Sequence, residues 1–113
     1  MDFQLEPDRP FDEVAEEVAK AIETNDVVLF MKGDELMPQC GYSRKALHLI
    51  GQHRDDMVVV DVLDALPHYR AALKPYSGRE TIPQAYVDGE FVGGSDILEQ
   101  LAERGELEDT LQG

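Results

Sequence analysis

The chain has 113 residues, with 24 acidic against 10 basic side chains and a formal net charge of −14. That length suits one domain around a single core. The charge argues against a nucleic-acid surface, which needs a basic footprint, and disfavours anionic membranes.

No apolar run approaches the ~18 residues of a membrane span. The only cysteine is Cys40, so no internal disulfide can form, and a fold independent of oxidation suits a reducing cytoplasm, the expected location. The opening MDFQLEPDRP lacks the basic-then-apolar pattern of a secretory signal. Only four lysines occur, Lys20, Lys32, Lys45 and Lys74. Acid with so little lysine resembles proteins of salt-loving organisms, which stay soluble through charge; a merely acidic protein is the simpler alternative.

In chain order, Phe11, Val14, Ala15, Val18, Ala19 and Ile22 share one helical face, which predicts an amphipathic helix ending near Thr24-Asn25. Val27 to Met31 is a short apolar run, read as a buried strand. A loop leads to Cys40. Beyond it Ser43, Ala46, Leu47 and Ile50 have helical spacing, and the helix is expected to run to about Arg54. Met57 to Val62 is a second β-branched run. Ala65 to Lys74 reads as helical, with Pro75 stopping it. Pro83 to Val87 and Glu90 to Val92 flank Asp88-Gly89, a strong hairpin signal. Ser95 looks like the N-cap of a helix using Ile97, Leu98 and Leu101, with Gly105 ending it. Residues 106–113 read as an acidic tail, and residues 1–10 as an N-terminal extension of the single domain. The order α-β-α-β-α-β-β-α implies an early parallel pair, a late antiparallel hairpin, and a four-stranded mixed sheet with helices on both faces.

Cys40 stands where a loop joins a helix. The first amides of that helix have no partners within it, and the helix dipole places partial positive charge at the same end. Both favour the thiolate, which is the nucleophile and the metal ligand. Lys32, Arg44 and Lys45 add cations nearby in a chain that has few. The alternative is a buried cysteine acting as a small hydrophobe, which fits poorly between Gln39 and Gly41.

Four motifs in order then carry a family resemblance: MKG at 31–33, CGYS at 40–43, TIPQ at 81–84 and VDGEFVGGSD at 87–96. With six residues between Gly33 and Cys40, the chain resembles a single-domain monothiol glutaredoxin with a thioredoxin fold, from about Phe11 to Gly105. Two places depart from the family pattern. Tyr42 replaces the usual phenylalanine of CGFS, and Arg79-Glu80 stand where the family has Trp-Pro, a segment that helps shape the thiol-binding groove.

The resemblance implies roles for individual residues. Cys40 is the reactive thiolate and the protein's iron ligand. Lys32 and Arg70 pair with the glycyl carboxylate of glutathione, and Ile82 offers its backbone to the tripeptide. Pro83 is cis, and Ser95 and Asp96 hold the γ-glutamyl end. Each has a plainer alternative: Lys32 and Arg70 as solvated cations, 81–83 as a turn, Gly93-Gly94 as the hairpin end, Ser95 as a helix cap. His48, His53 and His68 lack metal-ligand spacing with Cys40.

Three functions follow from the resemblance. The first is an iron-sulfur cluster carrier. A [2Fe-2S] cluster needs four thiolates; two Cys40 sulfurs from a homodimer and two glutathione molecules (or a related γ-glutamyl thiol) supply them, with the apo protein monomeric and iron-sulfur client or assembly proteins as partners. The second is a weak glutathione-dependent thiol-disulfide oxidoreductase acting through a Cys40 mixed disulfide. The third is a cofactor-free protein-binding module.

Overall fold

The structure, a computed structural model, describes residues 7–113; the first six residues of the expected N-terminal extension lie outside the described residues. Helix α1 (Phe11–Thr24) opens with Asp12 and Glu13 in its first turn, where acidic side chains complement the dipole. It buries Val14, Val18 and Ile22. Strand β1 (Val27–Met31) is buried at all five positions. Helix α2 (Gly41–Gly51) follows, then β2 (Val58–Asp61), a 3-10 turn at Leu63–Ala65, and α3 (Leu66–Ser77). Strands β3 (Gln84–Val87) and β4 (Glu90–Gly93) form the hairpin, followed by α4 (Ser95–Glu103) and α5 (Leu107–Gln112).

The sheet order is β2-β1-β3-β4. β1 pairs parallel with β2 and antiparallel with β3, and β3 pairs antiparallel with β4. β1 is therefore flanked on both edges and covered on both faces, which is why it reads as an unbroken apolar run. Alternation along the strand divides its side chains between two cores. Val28 and Phe30 pack with α1 and α3 through Val14, Val18, Tyr69 and Leu73. Val27, Leu29 and Met31 pack with α2, α4 and α5 through Ala46, Ile50, Leu98, Leu107 and Leu111. This is the expected α/β thioredoxin fold, a four-stranded mixed sheet between helical layers.

Several boundaries differ from the sequence reading. α2 stops at Gly51, and the amides of His53 and Arg54 both return to the Ile50 carbonyl at 3.0 Å. Arg54 leaves the helix because its guanidinium binds Asp56 and donates to the Leu111 carbonyl. α3 runs through Pro75 and ends at Ser77. The turn closes by other bonds, Ser77 Oγ to the Leu73 carbonyl at 3.3 Å and the Gly78 amide to the Lys74 carbonyl at 2.7 Å. Ser95 is the first residue of α4 rather than its cap; Gly94 holds that place, and no side chain caps the helix.

The acidic tail carries a short helix that packs on the domain. Its Leu107 and Leu111 lie four apart on one face of α5, and both are buried in the core beneath α2 and α4. At the other end Arg9, in the part of the expected extension that is described, pairs with Glu13, Glu17 and Asp64 and donates to the Tyr69 hydroxyl at 3.0 Å.

Leu111→Ala is expected to lower unfolding stability by ~2–5 kcal/mol, the range for emptying a buried leucine site. Leu36→Ala, at a position 89% exposed, should change it by less than ~0.5 kcal/mol. Urea denaturation of both variants checks the pair, and equal small effects would mean that the tail is peripheral.

Candidate functional site

The C-terminal end of β1 delivers Lys32 and Gly33 to the edge of the sheet. The loop from Gly33 to Cys40 is closed by three devices. The Gln39 amide donates to the Lys32 carbonyl at 2.9 Å, Asp34 Oδ1 accepts from the Leu36 and Met37 amides, and Asp61 Oδ1 accepts from the Gly33 amide at 3.0 Å. Gly33 has φ +89°, and a Cβ there would sit 2.4 Å from the Met37 carbonyl oxygen. Only glycine lets the loop fold back so tightly. Leu36 and Met37 are left exposed at its tip.

Cys40 is the N-cap of α2, in extended geometry, and is half-buried. Burial pushes its thiol up, but hydrogen bonds from the Ser43 and Tyr42 amides, the Ser43 hydroxyl and the charge of Lys32 outweigh it and hold the pKa below the ordinary thiol value. Of the three cations noted in the sequence, Lys32 is the one whose charge favours the thiolate; Lys45 instead pairs with Glu99 on α4 at 3.3 Å. Ser43 is fully buried, and its Oγ accepts the Lys32 amide at 3.1 Å. A hydroxyl both donates and accepts, so Ser43 links the end of β1 to the sulfur. Helical spacing places Ser43 on the inner face of α2 but does not disclose this role.

Beside α2 lies a groove of about 320 Å³ lined by Tyr42, Arg79, Thr81, Ile82, Pro83, Gly94, Ser95 and Asp96. A larger one, of about 540 Å³, lies between the hairpin, α4 and the chain end; it is lined in part by the 87–92 hairpin but includes none of the candidate site residues Lys32, Cys40, Arg70, Ile82, Pro83, Ser95 or Asp96. The smaller groove brings Ile82, Pro83, Ser95 and Asp96 together; Cys40, Lys32 and Arg70 do not line it. The Ile82–Pro83 peptide bond is cis. The Pro83 carbonyl lies against Gly94, where a Cβ would approach to 3.1 Å. Arg70 is half-buried on α3.

Gln84 is a residue whose role the sequence did not disclose. Its side chain is fully buried, and Nε2 donates to the carbonyls of Arg79 at 3.1 Å and Thr81 at 2.9 Å. Its Oε1 accepts the Tyr86 hydroxyl at 2.8 Å. Burial pushes the Tyr86 phenol up to about 12, so it remains a donor across the neutral range. The last residue of TIPQ is thus the clamp on the groove wall.

Among the described residues, no cluster of three or more His, Cys, Asp or Glu side chains is arranged to hold a metal ion. His68 packs edge-on against Phe11, and His48 contacts Gln52. With one cysteine in its sequence, the chain can offer a metal centre one thiolate.

The family profile described as Glutaredoxin matches residues 27–92. An uncharacterized monothiol glutaredoxin, ycf64-like, of Synechocystis sp. is 43% identical over 84% of this chain and 88% of its own. Mitochondrial monothiol glutaredoxin-5 of Saccharomyces cerevisiae is 40% identical, covering 88% of this chain and 68% of its own. The crystal structure of oxidized glutaredoxin 2 from Chlamydomonas reinhardtii superposes with a TM-score of 0.79 at 27% identity, covering 92% of this chain and 95% of that one.

Because the folded-state pKa of Cys40 is the depressed one, the reactive thiolate persists below the ordinary thiol range and is lost only as pH falls through the lower value. The rate of alkylation by iodoacetamide should reach half its plateau below pH ~8.5, the usual cysteine value. Ser43→Ala and Lys32→Gln should each move that midpoint upward. Unchanged midpoints in both would show that neither group stabilises the anion.

Proposed function

The chain belongs to the glutaredoxin family, and from that premise we propose that it carries a [2Fe-2S] cluster as cargo, bound through Cys40 and glutathione and handed to iron-sulfur client or assembly proteins. The observation that carries the reading is the single, half-exposed Cys40 thiolate next to a groove suited to a small peptide thiol, with Ser43 rather than a second sulfur beside it. One chain supplies one of the four thiolates such a cluster takes. Two protomers and two glutathione molecules complete the set, so the loaded protein is a homodimer bridged by its cargo and the apo protein a monomer. When bound, the cluster provides labile iron–thiolate bonds that a client's own thiolates can displace.

This chain's residues bind and orient the thiol ligand. Lys32 and Arg70 meet its glycyl carboxylate, and the Ile82 backbone pairs with it in strand fashion beside Pro83. The amides at the start of α4, Ser95 and Asp96, receive the γ-glutamyl carboxylate, and the Asp96 side chain receives the ammonium.

The depressed Cys40 pKa favours a second activity at the same sulfur. The Cys40 thiolate attacks the disulfide of a glutathionylated protein, the protein thiolate leaves, and Cys40 becomes a mixed disulfide with glutathione. A second glutathione thiolate then attacks that disulfide, freeing Cys40 and releasing glutathione disulfide. Ser43 cannot resolve the intermediate internally, so turnover depends on the external thiol.

Anaerobic reconstitution with iron, sulfide and glutathione should give a brown dimer, whereas Cys40→Ser should stay colourless and monomeric. Visible absorption with sizing chromatography reads both, and a Cys40→Ser variant with full cluster content removes the carrier reading. Brisk Cys40-dependent turnover in a glutathione-coupled assay with no cluster formed would favour the exchange activity instead.

A further inference from the structure

Glu80, beside Arg79, is drawn off by Lys74, whose Nζ lies 3.6 Å from its carboxylate. Arg79 is the one cation among the residues lining the groove, and Asp96 the one anion. Among the described residues, the Arg79 guanidinium forms no ion pair, and the two charges do not pair with each other across the gap. The backbone that carries Arg79 is closely held. Its amide donates to Ser77 Oγ at 3.0 Å, and its carbonyl accepts from Ser77 Oγ at 3.1 Å and from the buried Gln84 amide at 3.1 Å. A positive side chain is thus mounted on a fixed wall of the groove in a protein whose net charge is −14.

The ends of the groove can be ordered. Pro83 abuts Gly94 at the start of α4, so the Pro83 end of the 81–83 segment belongs with Ser95 and Asp96. Thr81 and Arg79 lie at the other end of the same short run of chain. An extended peptide advances ~3.3–3.6 Å per residue. A ligand whose amino-acid head meets Asp96 and whose middle pairs with Ile82 therefore has its far terminus directed to the Arg79 end.

We infer that Arg79 is a specificity-determining residue, joining Lys32 and Arg70 at the terminal carboxylate of a small thiol whose other end is a zwitterionic amino-acid head. The inference rests on the thiol-binding reading of the groove and adds to it a cation at a place where the motif pattern has none. Arg79 selects against ligands whose far carboxylate is missing or blocked, because the guanidinium then loses its partner while the Asp96 end is unaffected. Gln84 is a positioning residue for this contact, acting through the Arg79 and Thr81 carbonyls.

The test uses the reduced full chain and two probes that cannot form disulfides, S-methylglutathione and its glycyl ethyl ester, titrated by NMR at low salt. Arg79→Gln is exposed and suited to keeping the fold. It should weaken binding of the acid about fivefold, as expected for a solvent-accessible ion pair, and leave the ester unchanged. The loss should shrink as salt is raised. Equal affinities of wild type and variant for the acid, or equal losses for acid and ester, overturn the assignment of Arg79 while leaving the proposed function intact. Failure of the wild type to bind either probe overturns both.

Discussion

The hydrogen bond from the Lys32 amide to the Ser43 hydroxyl ties the last turn of the central strand to the first turn of α2. Ser43 is fully buried, where an unmatched hydroxyl would cost ~1–3 kcal/mol, so the bond constrains the relation of strand to helix. Everything that acts on Cys40 depends on that relation. The Tyr42 and Ser43 amides face the sulfur because α2 starts where it does, and Lys32 is near because β1 ends where it does. Buried serine is thus the joint between fold and chemistry.

A second clamp has the same logic on the opposite wall. Gln84 begins β3, which is hydrogen-bonded to the central strand, and its buried amide reaches back to hold the Arg79 and Thr81 carbonyls. The Tyr86 hydroxyl satisfies its remaining acceptor. The groove wall therefore takes its position from the sheet rather than from its own loop. A site built on a rigid scaffold in this way presents backbone and side chains at fixed places, which lowers the ordering cost when a small ligand arrives.

Charge is distributed to match. Most of the acid is on exposed surface, and Arg9, Arg54 and Lys45 are engaged in ion pairs away from the thiol. Lys32, whose charge favours the Cys40 thiolate, and Arg79, on the groove wall, are among the cations outside those pairs, so positive charge stands at the thiol and the groove of a strongly acidic protein.

The periodicities of α1, β1 and α2, the Asp88-Gly89 turn and the four spaced motifs determined the order of elements through α4 and the mixed sheet, and singled out Cys40 as the candidate thiolate, because amphipathic spacing and turn geometry are local properties of the chain. A lone cysteine likewise rules out an internal disulfide, and the acidic composition argues against a nucleic-acid surface. What only the tertiary structure decided was non-local. The sequence of 106–113 showed only an acidic tail, and it is packing that makes Leu107–Gln112 a helix whose Leu107 and Leu111 lie in the core with α2, α4 and the sheet. Pro75 looked like a stop, but packing of Tyr69, Ala72 and Leu73 beneath α1 carries the helix past it. Ser43 and Gln84 acquire their roles from partners 11 and 5 residues away, the Lys32 amide and the Arg79 carbonyl, and Arg79 and Asp96, 17 residues apart, come to line one groove. No spacing rule encodes such meetings, because each exists only once separate elements have packed.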